Sequence, residues 1–355
     1  RTLKVPVRLK ENEFERDAAK ALRRCLAEVP FVRIRELQAQ PPCGPDILAR
    51  LNLPGGNKAL VAEVKSSGQP RITRQAVTQL ATYVERFKNA YGVFIAPYVS
   101  DRSAVICEEA GVGFVDLAGN CRLCFDQVYV RKTGFENPYA EKRDLRSLYS
   151  PKATRVLRVW LSYPLRPWRV QELASEAGVS LGQASNVKKL LEDREWIKSD
   201  DKGFWLTEPQ ALLVEWAANQ RYRRDRSWKC YTVESPPEFE ARLAEACSRV
   251  ALRYALTAFS AAARLAPMVR TARVSAYVLG DVQGLIKTLG LKRVETGANV
   301  SLIEPGDEGI FYGSRPFDSV VVVSAVQACL DVKRLGGRGD EAAEAILSEV
   351  LRKQW

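Results

Sequence analysis

Apolar residues recur every three to four positions over residues 11–28, where Phe14, Ala18, Ala21, Leu22 and Cys25 fall on one stripe. That spacing predicts an amphipathic helix. Period-two alternation follows over residues 31–37, then an apolar stretch at 47–51. Turn formers Pro54, Gly55, Gly56 and Asn57 precede a strand over 59–65. Residues 72–87 predict a second helix, 91–96 a strand, and 100–110 a helix that Ser100 and Asp101 open as a cap. Residues 112–116 and 122–130 read as two strands around the tight turn Ala118, Gly119, Asn120. Helix, strands, helix, strand, helix, strand is the order of a mixed α/β sheet.

The pattern then changes. Residues 153–162, 170–177 and 181–194 predict three helices; the second stops at Gly178 and Ser180 caps the third. Residues 196–198 and 204–207 flank a turn at 200–203, a small hairpin. Three helices with a short turn between the second and third, backed by a hairpin, describe a winged helix-turn-helix. Beyond it, helices are expected at 236–249, 260–265, 326–334 and 340–353, with strands at 253–257, 273–279, 298–303 and 319–323. That is a second α/β domain. A chain of 355 residues exceeds one ordinary core, and the expected domains are 1–140, 148–210 and 230–355.

Composition narrows the chemistry. Lys and Arg number 54 against 42 Asp and Glu, a net charge of +12 that favours a polyanionic partner. The chain has no histidine. This excludes Ser-His-Asp and Cys-His catalysis and every histidine-ligated zinc site. Eight scattered cysteines fit reduced thiols. Cys121 and Cys124 form the one CxxC pair, on a strand whose positions i and i+3 face opposite sides, so a metal site is not expected there. No apolar run reaches the roughly 18–20 residues of a membrane span, and no signal peptide is visible. A cytoplasmic, nucleoid-associated protein with no membrane partner is expected.

The remaining candidate chemistry is acidic. Glu63 and Lys65 lie two apart on a strand and so share a face. A hairpin can bring Asp46, which follows Pro45, beside them. Two carboxylates and a lysine on one surface can bind a hard divalent cation and handle a proton nearby. Pro45-Asp46 followed by Glu63-Val64-Lys65, with Glu15 on the first helix and Gln79 on the helix after the Glu-x-Lys strand, resembles the PD-(D/E)xK nuclease-like family. The resemblance covers the first 100–130 residues and implies a restriction-endonuclease-like mixed sheet. It further implies Mg2+ or Mn2+ held by Asp46, Glu63 and the Val64 carbonyl, with Glu15 assisting directly or through water. Lys65 would polarise the attacking water and stabilise phosphate charge. A solvated strand with alternating charges is the alternative reading of Glu-x-Lys.

The winged-helix region supplies a substrate class. Its third helix carries Gln183, Ser185, Asn186, Lys188 and Lys189, types that meet base edges and phosphates, and the wing offers Lys198 and Lys202. Arg221, Arg223 and Arg224, interleaved with Tyr222 and Trp228, suit phosphate contacts and base stacking. The layout also resembles AbiEi-type antitoxin-like transcriptional regulators, on residues 113–120, 254–267 and 336–343. That resemblance implies a DNA-binding regulator partnered by a toxin or other defence protein. The expectation is therefore a Mg2+-dependent endonuclease acting on double-stranded DNA, working as a homodimer. The alternatives are an AbiEi-like regulator whose nuclease-like domain is non-catalytic, and an RNA substrate.

Overall fold

The computed structural model describes residues 11–41, 44–138, 148–220, 225–266 and 272–355. It divides into two compact units, Arg1–Lys142 with Asp193–Glu195, and Arg143–Glu192 with Trp196–Trp355.

The first unit is built on a seven-stranded sheet in sequence order: β1 (Arg33–Ala39), β2 (Ile47–Leu53), β3 (Gly56–Val64), β4 (Ala90–Ala96), β5 (Gly113–Asp116), β6 (Cys121–Phe125) and β7 (Val128–Lys132). β3, β4 and β5 run parallel, and the other neighbours are antiparallel. Strand alternation sorts the side chains into two cores. On one face Ile47, Ala49, Leu51, Leu60 and Ala62 pack with Ala18, Leu22 and Leu26 of α1 (Glu11–Ala27). On the other, Leu48, Val61 and Phe94 pack with Ala76 and Leu80 of α2 (Pro70–Arg86) and Cys107 of α3 (Asp101–Glu109). Burying a leucine such as Leu22 or Leu80 stabilises by roughly 1.5–3 kcal/mol.

Three local expectations change. The strand expected over 122–130 is a hairpin, β6 and β7, with Asp126 at a φ of 45° in the turn. Aspartate tolerates the left-handed region, so a turn forms without glycine. The hairpin after β2 is tighter than four residues, because Leu53 already pairs with Gly56. α2 begins at Pro70, whose missing N–H costs nothing in the first helical turn.

The second unit opens with α4 (Pro151–Ser162), α5 (Val170–Ala177) and α6 (Leu181–Asp193), then the antiparallel hairpin β8 (Ile197–Asp200) and β9 (Gly203–Leu206). Gly178 ends α5 at a φ of 60°, and Ser180 Oγ accepts from Gln183 N at 3.2 Å as α6 starts. This is the element order expected from the sequence. A seven-stranded mixed sheet follows, ordered β13-β10-β14-β12-β11-β16-β15. Its members are β10 (Arg226–Tyr231), β11 (Arg253–Leu256), β12 (Val274–Leu279), β13 (Lys292–Arg293), β14 (Val300–Glu304), β15 (Arg315–Phe317) and β16 (Val320–Val322). Helices α7 (Pro209–Ala218), α8 (Pro236–Arg249), α9 (Ala258–Leu265), α10 (Val282–Thr288), α11 (Ala325–Lys333) and α12 (Arg338–Ile346) accompany it. α7, α10 and strands β10, β13 and β15 were not anticipated.

One apolar core runs from Trp160 and Trp168 of the helical part through Phe239, Tyr277 and Phe311 of the sheet part. Polar clamps reinforce it. Arg155 on α4 donates to both carboxylate oxygens of Asp307, at 2.8 and 3.0 Å, and Tyr312 Oη donates to Glu176 at 2.8 Å. Buried Arg158 donates twice to Gln327 Oε1, at 3.0 and 2.8 Å. Gln327 Nε2 in turn donates to Asp331, as does Tyr277 Oη at 3.0 Å.

Candidate active site

Asp46 and Glu63 stand on adjacent antiparallel strands, Asp46 immediately before β2 and Glu63 one residue from the end of β3. By strand parity both belong with Leu48 and Val61, on the α2 side of the sheet. The structure brings them together with Lys65 and Gln79. Asp46 Oδ2 accepts from the Val64 backbone N–H at 2.7 Å. Lys65 N–H donates to the Ile95 carbonyl at 2.9 Å, which fixes the residue just past β3. Its ammonium ion-pairs with Glu63 Oε1 and reaches Gln79 Oε1 at 3.4 Å. Gln79 Nε2 donates to Tyr83 Oη at 3.1 Å, one helical turn on. Tyr83 was missed in the sequence reading, and its i+4 spacing from Gln79 is the signal that pointed to it.

Glu63 is 2% exposed, and its second oxygen, Oε2, is buried without a hydrogen-bond partner. Burial holds its carboxyl above the ordinary carboxylate range. Lys65 opposes that rise by hydrogen bond and charge, while the Asp46 charge adds to it. A buried acid with an open oxygen is a group that a cation would satisfy.

The backbone adds a third oxygen. Even-numbered β3 residues turn their backbone groups toward β2, as the Val64 N–H to Asp46 shows, and Ile47 pairs with Ala62. The β2–β3 ladder ends at that pair, and beyond it the Val64 N–H bonds the Asp46 side chain instead of a β2 carbonyl. The Val64 carbonyl, on the residue that follows Glu63 and bonds Asp46, is the backbone oxygen that could join them. Two carboxylates and a carbonyl are a donor set of the kind Mg2+ takes, completed by water.

Glu15 is placed differently. It is half-buried on α1, the helix that packs on the opposite face, and no hydrogen bond or ion pair joins it to Asp46, Glu63 or Lys65 among the described residues. No group of three or more acidic or cysteine side chains placed to hold a metal occurs among the described residues. Cavities of about 30 and 390 Å3 among the described residues are lined by second-unit residues and lie apart from this site in the chain.

On α6, Ala184, Val187 and Leu190 are buried, while Ser185, Asn186 and Lys189 are exposed. Gln183 is half-buried, its Nε2 without a partner. Lys188 is drawn inward, ion-paired to Glu192 and set 5.1 Å from the Phe204 ring. Lys198 and Lys202 are exposed on the hairpin, beside exposed Asp200 and Asp201. Arg221, Arg223 and Arg224 lie outside the described residues. Trp228 is half-buried. It sits on β10 opposite Leu302 and packs on the core.

Among the described residues no helix is long and apolar enough to cross a membrane. Among solved structures, the chain is similar to a repair endonuclease from Pyrococcus abyssi, at 20% identity with a TM-score of 0.21, covering 27% of this chain and 45% of that one. It is also similar to EndoMS in its apo form, at 17% identity with a TM-score of 0.22, covering 28% and 45%. An EndoMS complex with double-stranded DNA matches at 20% identity with a TM-score of 0.21, covering 28% and 44%. The chain thus spans less than half the length of these structures. No curated protein matches. The stretch 113–120, which contributed to the regulator resemblance, forms the β5–β6 corner of the first unit and lies outside the matched family region, residues 205–352. Residues 205–352 match the family described as "Transcriptional regulator, AbiEi antitoxin, Type IV TA system", and the carboxy-terminal part of this chain is a domain of that AbiEi type.

Proposed function

We propose that the protein is a DNA-binding regulator of AbiEi type that carries a Mg2+-dependent phosphodiesterase centre of the PD-(D/E)xK kind in its first unit. The observation that carries this is Glu63: a buried carboxylate with one open oxygen, beside Asp46 across the hairpin and ion-paired to Lys65. The carboxylates of Asp46 and Glu63 and the Val64 carbonyl would hold the ion. When bound, the ion would supply an activated water and charge compensation at phosphate.

The chain's own residues account for the rest. Asp46, oriented by the Val64 N–H, presents its remaining oxygen with little freedom. Lys65 keeps a positive charge at the strand end, where a phosphate oxygen gains negative charge during hydrolysis. Gln79 gives that ammonium a second acceptor. Helices α4–α6 and the β8–β9 hairpin would form a winged helix-turn-helix, with Ser185, Asn186 and Lys189 toward the groove and Lys198 and Lys202 toward phosphates.

A second reading rests on a specific observation. Lys65 already neutralises Glu63, and no third acidic ligand gathers beside it among the described residues. A regulator whose first unit only binds DNA would hold the same pair. Incubating supercoiled and linear DNA with Mg2+ or Mn2+ separates the two. Nicking by the wild type that Asp46→Ala and Lys65→Ala both lose supports the enzyme. Sequence-specific binding with no cleavage of any substrate supports the regulator and refutes the phosphodiesterase.

A further inference from the structure

Two buried thiols of the first unit have no part in the site above. Cys25 lies near the end of α1 and Cys121 opens β6, at 5% and 3% exposure. Their sulfur atoms are 3.0 Å apart, with Cys25 Sγ–H donating to Cys121 Sγ. We propose that Cys25 and Cys121 are an oxidative modification site that closes to a disulfide and ties α1 covalently to the sheet.

Geometry carries most of the argument. A disulfide needs its sulfurs about 2.05 Å apart, so this pair closes with an approach of roughly 1 Å. The two residues come from elements already packed in one core, so little else must move. The other thiols among the described residues lack this arrangement. Cys124 is exposed and, three residues along β6, points away from Cys121. Burial pushes the thiols of Cys107, Cys247 and Cys329 up to about 12, and none of them has a sulfur partner among the described residues.

The environment polarises the pair. The hydrogen bond from Cys25 favours thiolate on Cys121 against the cost of burial, and the Lys132 ammonium adds to it; Lys132 is itself paired with Glu28. The same hydrogen bond and burial hold Cys25 in its thiol form. Cys121 is therefore the nucleophile. With a peroxide as oxidant, the Cys121 sulfur attacks one peroxide oxygen, the O–O bond breaks, and water leaves. The resulting sulfenic acid is then attacked by the Cys25 sulfur, the S–O bond breaks, and a second water carries off the hydroxyl. Two thiols lose two electrons and two protons, and the peroxide is reduced to two waters.

The cross-link joins positions 25 and 121, restraining a long loop of the unfolded chain. It also anchors the helix that carries Glu15. The test treats the full-length wild type, and a Cys124→Ser variant that removes the exposed thiol, with hydrogen peroxide near stoichiometry. Peptides are then mapped without reduction. A Cys25–Cys121 peptide pair two hydrogens lighter than the separate peptides is expected, with an upward shift of the unfolding midpoint by several degrees. Dithiothreitol should reverse that shift, and Cys25→Ser should not show it. The wild-type map decides even if Cys25→Ser fails to fold. The proposal is overturned if, in peroxide-treated protein, both thiols still alkylate on denaturation, or if the sole products are sulfinic acid and intermolecular disulfides at Cys124.

Discussion

Replacing Lys65 by methionine removes the one cation paired with Glu63 while keeping most of the side-chain volume. Glu63 is then a 2%-exposed carboxylate with neither oxygen bonded, because Lys65 held Oε1 and Oε2 has no partner. Breaking a fully buried pair costs about 3–5 kcal/mol. The Lys65 side chain is 30% exposed, so solvent screens part of this, and a loss of about 1–3 kcal/mol is expected. For a unit of this size that lowers the unfolding midpoint by roughly 4 °C per kcal/mol. The pH dependence follows from sign. Burial raises the folded carboxyl above its unfolded value, so its contribution to stability is fully present below the unfolded pKa and is lost as pH rises through the folded pKa. Lys65→Met removes both influences that lower that pKa, which moves the loss to higher pH and enlarges it. Melts followed by circular dichroism should therefore converge for variant and wild type as pH falls to about 4, the unfolded glutamate value, and separate as pH rises above it. Mg2+ or Mn2+ should raise the variant's midpoint more than the wild type's, since the ion replaces the missing charge. A loss of equal size at both ends of that range, or none at either, would refute the assignment of Glu63 as a buried charge held by Lys65.

Lys189→Ala should reduce the slope of log K against log salt for DNA by about one. Lys188→Ala, already spent on Glu192 and Phe204, should leave the slope unchanged, and equal effects of the two would contradict the placement of α6. Asp331→Asn puts an amide N–H2 among the donors Tyr277 Oη and Gln327 Nε2. It should cost about 2–3 kcal/mol in urea unfolding, and a wild-type midpoint would show that this network is not strained by the swap.

Much of the fold was legible because it is locally encoded. The α8 bounds, Pro236–Arg249, and the α5 stop at Gly178 follow from capping residues and apolar period alone. The misses have physical causes. β6 and β7 were read as one strand because Asp126-Gln127 carries no glycine or proline, and the left-handed Asp126 is invisible to turn rules that look for them. β10 was hidden by its charge: Arg226 shares a face with Trp228 and Cys230, Lys229 lies on the other, and the charged residues dominated the reading. The site was half legible. The i, i+2 rule gives the shared face of Glu63 and Lys65. That Glu15 rises from the helix on the opposite face depends on the sheet's two-sided packing, which no local pattern states.

The Glu63–Lys65 pair also explains why Gln79 belongs to the site. An ammonium whose single partner is a metal-seeking carboxylate would be released when a cation claimed that carboxylate. Lys65 instead has two acceptors, Glu63 Oε1 and Gln79 Oε1. The amide of Gln79 has two faces of opposite character, and an N–H2 turned toward Lys65 would repel it. Donation from Gln79 Nε2 to Tyr83 Oη fixes the oxygen toward the lysine. Under the proposed function, the ammonium then stays at the strand end when Glu63 turns to a cation, in the position where phosphate charge has to be met. Under the same proposal the arrangement would keep the metal-free unit intact, because Lys65 neutralises Glu63. Two requirements of the proposed function, a stable fold without metal and a lysine in place with it, would thus be met by one short chain of side chains from β3 to α2.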